Sequence, residues 1–215
     1  MAALEADAAY DFGGEANLKT GFASGDGDIL SSRITQLGFR PDYQIALMMF
    51  NLPLGTSPSF YDSTLGTQLA GGVPITGNYI NNAFYVSTGY KHRFDLPKSF
   101  PGEWVKVGGQ ITTAWAHKKN INVDFAELTG TANLPDITES ASSTWTRWYG
   151  AELDVVTEAK LFEQLTATFE GGFLLPGRAY DVNVDLIDPN SIVDQIPDDK
   201  AEYAWMIRLT TSIEF

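Results

Sequence analysis

The last fifteen residues of the chain, Ala201 to Phe215, read AEYAWMIRLTTSIEF and carry its clearest pattern. Apolar or aromatic residues occupy nearly every second position, among them Tyr203 and Trp205, and the intervening positions are mostly polar, among them Arg208. Such alternation predicts a β-strand with one apolar and one polar face. The strand would be much longer than the roughly 5–6 residues of an ordinary soluble strand.

The same alternation recurs in six earlier segments, whereas apolar residues at helical spacing are scarce. The six segments are Leu4 to Phe12, Ala16 to Ser24, Ala83 to Asp95, Trp104 to His117, Trp145 to Thr157 and Leu165 to Leu175. In the segment that begins at Trp145, the pattern predicts Tyr149 and Leu153 on the apolar face and Trp148, Glu152 and Asp154 on the opposite face. The chain therefore reads as an all-β, antiparallel protein.

Connections of two lengths join these segments. The short ones are Gly13-Gly14, Leu96 to Glu103 and roughly Glu158 to Glu163, and the long loops cover residues 25–82, 118–143 and 177–200. Alternating short and long connections are typical of outer-membrane barrels, which have short periplasmic turns and longer external loops. We treat residues 1–215 as one β-barrel domain, or as the C-terminal segment of a barrel.

Strand length and aromatic placement separate two all-β interpretations. A soluble sandwich turns its apolar faces inward, whereas a membrane barrel turns them toward lipid and needs strands of roughly 9–11 residues. The chain has long strands, and aromatic residues such as Phe84, Trp104 and Tyr203 stand near their ends. We therefore predict an antiparallel transmembrane β-barrel in the bacterial outer membrane, in contact with its lipid. A soluble all-β binding domain is the alternative.

The number of strands poses a problem for a closed barrel. The pattern gives about seven strands, whereas bacterial single-chain barrels have an even number, and an open sheet edge in lipid is energetically forbidden. Tyr43 to Leu54 could supply an eighth strand. The long connection before it would then lie on the periplasmic side and the short Gly13-Gly14 turn outside, which is the reverse of the usual loop lengths. We favour the second solution, in which further strands or a partner chain complete a larger barrel. The start of the chain within an alternating segment agrees with that expectation.

Composition excludes several other functions. The 14 Lys and Arg residues stand against 27 Asp and Glu, so the net charge of −13 disfavours nucleic-acid binding. The chain has no Cys and only two His, and it lacks the common phosphate-binding and zinc-protease motifs. We therefore expect neither an enzyme nor a cofactor or metal site. The Asp-rich long loops are expected to solubilise the chain, and a weak Ca²⁺ site in them is the alternative.

Two stretches resemble outer-membrane channels. KTGFASGDGD at residues 19–28, followed by FRPDY at residues 39–43, resembles the strand-and-loop block of alginate-export-type porins and related proteobacterial barrels. The C-terminus is similar to the terminal assembly signal of outer-membrane proteins, with Phe215 last, Ile213 two residues earlier and the polar Arg208 seven earlier. Thr210 stands where that signal usually has Gly. The resemblance implies an outer-membrane channel that the barrel-assembly machinery inserts.

The polar positions of the alternating segments supply the candidate pore-lining residues. They are Lys19, Lys91, Arg93, Lys106, Glu152, Asp154, Glu170 and Arg208. In a porin-like channel for ions or small solutes, opposed charges would set selectivity through a transverse field. Alternatively, they form cross-strand ion pairs that fill a narrow interior. The second case describes a plugged barrel that serves as a structural or partner-holding subunit.

Overall fold

The structure is a computed structural model that describes residues 1–25, 37–52, 54–56, 60–62, 67–70, 74–76, 79–117, 148–162, 164–180 and 201–213. In chain order the strands are β1 (Ala2–Ala9), β2 (Gly14–Ala23), β3 (Leu54–Thr56), β4 (Phe60–Asp62), β5 (Thr67–Ala70), β6 (Pro74–Thr76), β7 (Ala83–Asp95), β8 (Gly102–Ala116), β9 (Trp148–Leu161), β10 (Leu165–Pro176) and β11 (Ala204–Ile213). One 3-10 turn covers Arg178–Tyr180, and no α-helix occurs in these ranges. The all-β expectation is confirmed.

Seven long strands form one antiparallel sheet in the order β1-β2-β7-β8-β9-β10-β11. They correspond to the seven alternating segments of the sequence. The remaining four strands form two small pairs, β3 with β6 and β4 with β5, within the predicted loop 25–82. The described strands do not close into a barrel, because β1 pairs only with β2 and β11 pairs only with β10. Loop residues 118–143 and most of 177–200 lie outside the described ranges.

Strand register gathers the large apolar side chains onto one face. Leu18, Ile111 and Leu153 lie in one row across β2, β7, β8 and β9, and 46–54% of each remains exposed. The row continues to Trp205 on β11, which is 68% exposed. We call this surface the apolar face; it includes Leu18, Phe22, Phe84, Ile111, Leu153, Val155, Phe169, Phe173, Trp205, Ile207 and Leu209.

The opposite face of the sheet, the polar face, is covered by its own chain. Residues 43–52, which we call the covering segment, pack against this face without forming a strand. Ile45, Met48, Met49 and Phe50 are almost fully buried there, in a cluster that includes Tyr85. These apolar side chains are therefore removed from water by packing on the polar face of the sheet, not on its apolar face.

The eighth strand considered for Tyr43 to Leu54 is wrong. This segment makes turns and bends, and only its last residue belongs to a strand, the short β3 outside the large sheet. Its Met48 and Met49 amides and its Ile45 carbonyl bond to polar side chains of β9 and β8 instead of to a neighbouring strand. These buried backbone groups therefore have partners without a strand ladder.

A β-bulge overturns the predicted orientation of two residues at the start of β9. Ala114 pairs with Gly150, but the next residue, Trp115, pairs with Trp148, so Tyr149 is an extra residue. Gly150 has φ of 116°, which only glycine adopts readily. Because an extra residue inverts the alternation, Tyr149 is fully buried and Trp148 lies beside Trp115 on the side of the apolar face.

Candidate functional site

Charges of both signs lie on the polar face. Lys19 on β2, Lys91 and Arg93 on β7 and Lys106 on β8 are its cations on these strands, and they stand beside Glu15 on β2 and Asp95 on β7. Acidic residues dominate the next two strands, which carry Glu152, Asp154, Glu158 and Glu170. The register places all of these side chains on one side of the sheet, since successive rows alternate between the two faces. A solute that moved along this face would pass between opposite charges.

Three of the predicted cations make ion pairs. Arg208 Nε donates to Glu170 Oε2 at 2.6 Å, across neighbouring strands. Lys106 Nζ lies 3.0 Å from Glu15 Oε1. Both pairs keep part of their surface exposed, so each contributes little to stability by itself. These ion pairs hold the charged groups in position but add little to the stability of the sheet.

Arg93 on β7 lies opposite Lys106 of β8 in register, near the turn that joins these two strands. Its Nε donates to Asp95 Oδ1 at 2.9 Å, and its guanidinium lies 5.3 Å from the centre of the Trp104 ring. Lys106 Nζ approaches the same ring at 5.6 Å. An aromatic ring between two cations is a cation–π arrangement, which orders both side chains at this end of the sheet.

Glu152 holds the covering segment. Its side chain is fully buried, Oε1 accepts the Met48 N–H and Oε2 accepts the Met49 N–H, each at 2.6 Å. Both oxygens are therefore bonded to successive backbone amides. A buried carboxylate requires such charge-assisted bonds, because its transfer from water is otherwise very costly.

Side chains of β8 bind the same segment through its carbonyl groups. Gln110 Nε2 donates to Ile45 O at 2.5 Å, and Thr112 Oγ1 donates to the same oxygen at 3.1 Å. Thus β9 supplies acceptors for the amides of the segment, and β8 supplies donors for a carbonyl. Gln110 and Thr112 lie at polar positions of the alternating segment Trp104 to His117, but nothing in the local sequence indicates that their partner is residue 45.

The segment is also fixed near its start. Tyr43 Oη donates to Glu5 Oε1 at 2.5 Å and lies 2.7 Å from Tyr85 Oη. Burial and the bond to Glu5 raise the pKa of the Tyr43 hydroxyl above its ordinary value, so that it remains a donor. The contact joins the covering segment to β1, 38 residues away along the chain.

A cavity of about 170 Å³ lies beside the covering segment. Lys91, Asp154, Glu170 and Arg208 line one side and Gln44 to Leu47 line the other. Asp154 Oδ2 accepts the Leu47 N–H at 3.2 Å, while its Oδ1 is buried and has no hydrogen-bond partner among the described residues. Four of the eight predicted pore-lining residues therefore meet at one polar space.

The structure places the other predicted residues as follows. Lys19 lies in the row of Glu152 on the polar face, between Glu5 and Ser87, away from this cavity. Ile213 is the last residue of β11 and pairs with Leu165. Phe215 lies outside the described residues. In the described ranges, no group of three or more Asp, Glu or His could hold a metal ion, and no helix has the length and apolar character to cross a membrane.

Comparisons with protein families, curated proteins and solved structures find no match to this chain.

Proposed function

We propose that this chain forms part of a porin-like β-barrel channel in the bacterial outer membrane, which passes ions or small solutes passively. The observation that carries the proposal is the apolar face, where Trp205, Leu209 and Ile111 are each more than half exposed on long strands. A water-soluble protein rarely exposes a continuous apolar surface of this extent. Lipid contact accounts for it, with the charged side chains on the opposite face.

Strand direction favours a larger barrel. Six successive antiparallel pairs join β1 to β11, so these two edge strands run in the same direction. Direct closure would create a parallel pair between them. Antiparallel closure requires an odd number of further strands, whether in the same polypeptide or in a partner chain. An unpaired edge in lipid leaves its backbone groups without partners, which costs several kcal/mol for each group.

The polar face gives the channel its selectivity in this proposal. Basic and acidic side chains on β2, β7, β8, β9 and β10 together create a field across the passage. Such a field orients and sorts charged solutes. The proposed partners are membrane lipid and the machinery that inserts barrels.

A second candidate is a plugged barrel that holds a partner or has a structural role. The observation in its favour is the covering segment, which buries Ile45, Met48 and Phe50 against the polar face. If that segment fills the whole interior of the assembled barrel, no passage remains.

Planar-bilayer recording tests the channel proposal. Purified protein, shown to be folded by its heat-dependent mobility in gels, should give discrete conductance steps. Folded protein that gives no steps at any voltage would favour the plugged barrel. A protein that stays monodisperse without detergent would overturn both, because it would show that the apolar face does not need lipid.

A further inference from the structure

The covering segment has the features of a movable restriction on the polar face. It is held by buried apolar side chains and by side-chain hydrogen bonds, not by a strand ladder. Its departure would cost these contacts but would leave the strand pairs of the sheet intact. The cavity beside it already provides polar space lined by Lys91, Glu170 and Arg208. The segment therefore lies where it would determine the width of a passage.

Most of these hydrogen bonds depend on two neighbouring strands. Asp154 and Glu152 of β9 accept three successive amides, those of Leu47, Met48 and Met49, while Thr112 of β8 donates to the Ile45 carbonyl. Among these contacts, only Glu152 uses both carboxylate oxygens and is wholly buried. Removing one acceptor oxygen there leaves a buried N–H without a partner, which costs more than an exposed bond.

We propose that the covering segment is the constriction of the channel and that Glu152 is the positioning residue that keeps it seated. This inference rests on the proposed channel function. It predicts that weakening the Glu152 contacts raises the fraction of molecules in which the segment has moved off the polar face.

The substitution Glu152→Gln tests the role of this carboxylate with little change in volume. The amide oxygen can accept one N–H, but the amide nitrogen faces the second N–H, donor against donor. Glu158→Gln is the matched control, because Glu158 lies on the same strand and the same face, in the row of Lys106, and the covering segment does not bond to it.

Two measurements distinguish the role of Glu152 from the proposed channel function. The chain has no cysteine, so Ala46→Cys introduces a unique thiol at a position that is 8% exposed. In the Glu152→Gln background, its rate of reaction with a water-soluble thiol reagent should rise roughly tenfold, as expected for loss of one charge-assisted bond. Single-channel conductance should rise as well, and Glu158→Gln should leave the labelling rate unchanged.

The outcomes are distinguishable. Faster labelling in a protein that gives no conductance would support the role of Glu152 and overturn the channel proposal. Unchanged labelling and conductance in folded Glu152→Gln would overturn the inference. If that variant fails to fold, Thr112→Val removes one donor to Ile45 O with nearly the same shape. It should give a smaller rise in labelling, and no rise at all would overturn the inference.

Discussion

Arg208 on β11 and Glu170 on β10 stand opposite each other in register, and Arg208 Nε lies 2.6 Å from Glu170 Oε2. Both side chains line the cavity beside the covering segment. β11 therefore places a cation beside Glu170 of β10 on the polar face. If this surface is a pore lining, Arg208 reduces its preference for cations.

Replacing Arg208 with Gln should make the channel more cation-selective, because Glu170 would lose its neutralising partner. The cation-to-anion permeability ratio should rise by roughly two- to fivefold, the effect of one partly screened charge near the passage. Reversal potentials in asymmetric KCl measure this ratio. Lys98→Gln, in the turn between β7 and β8, is the control and should leave the ratio unchanged. Equal ratios for all three proteins would exclude Arg208 from the pore lining.

A charge in the middle of the apolar face should distinguish lipid contact from water contact. Leu153→Arg should lower the free energy of unfolding in lipid vesicles by roughly 2–4 kcal/mol, as for cationic residues near the bilayer midplane. Leu153 is already 48% exposed, so the same change in a soluble protein would have little effect. Thr168→Arg on the polar face is the matched control. A near-zero difference for Leu153→Arg would contradict the proposed lipid contact.

The two free edges should not meet each other. Ala6→Cys on β1, combined in turn with cysteines at Ile207, Leu209 or Thr211 on β11, should give no disulfide under mild oxidation. Phe169→Cys with Leu209→Cys is the positive control, since these residues are direct partners in register. A bond within one molecule would show that the sheet closes on itself and would contradict the requirement for further strands. A bond between molecules would show that copies of this chain supply those strands.

Gly150 should be intolerant of a side chain. Its φ is 116°, and a Cβ there would lie 2.2 Å from the Leu175 carbonyl oxygen. Gly150→Ala should therefore lower the free energy of unfolding by roughly 1–3 kcal/mol or more, because both the backbone conformation and the contact become unfavourable. Denaturant unfolding followed by tryptophan fluorescence measures the change. At Gly171, the nearest contact of a Cβ is the flexible Val155 side chain at 3.3 Å, so Gly171→Ala should cost less. Equal losses would show that the bulge does not depend on glycine.

The seven strands, their order along the chain and most of their face assignments follow from the sequence alone. Period-two alternation is a local property, so Leu153 and Glu152 can be assigned to opposite faces without knowledge of any neighbour. For the same reason, the eight predicted pore-lining residues could be selected by parity and charge. The predicted orientation fails at Tyr149 and Trp148, because one extra residue in β9 reverses the alternation, and only pairing with β8 reveals it.

The position of the covering segment depends on contacts between residues far apart in the chain. Ile45 to Leu54 reads as an apolar run of strand length, and its local pattern gives no reason to fold onto a charged face. Glu152 lies 104 residues from Met48, and Gln110 lies 65 residues from Ile45. Local alternation thus establishes which side chains of each strand lie on either face of the sheet. Which buried amide meets which carboxylate, and which charges share one cavity, is settled only when the sheet register brings distant side chains together, because burial makes an unmatched polar group costly.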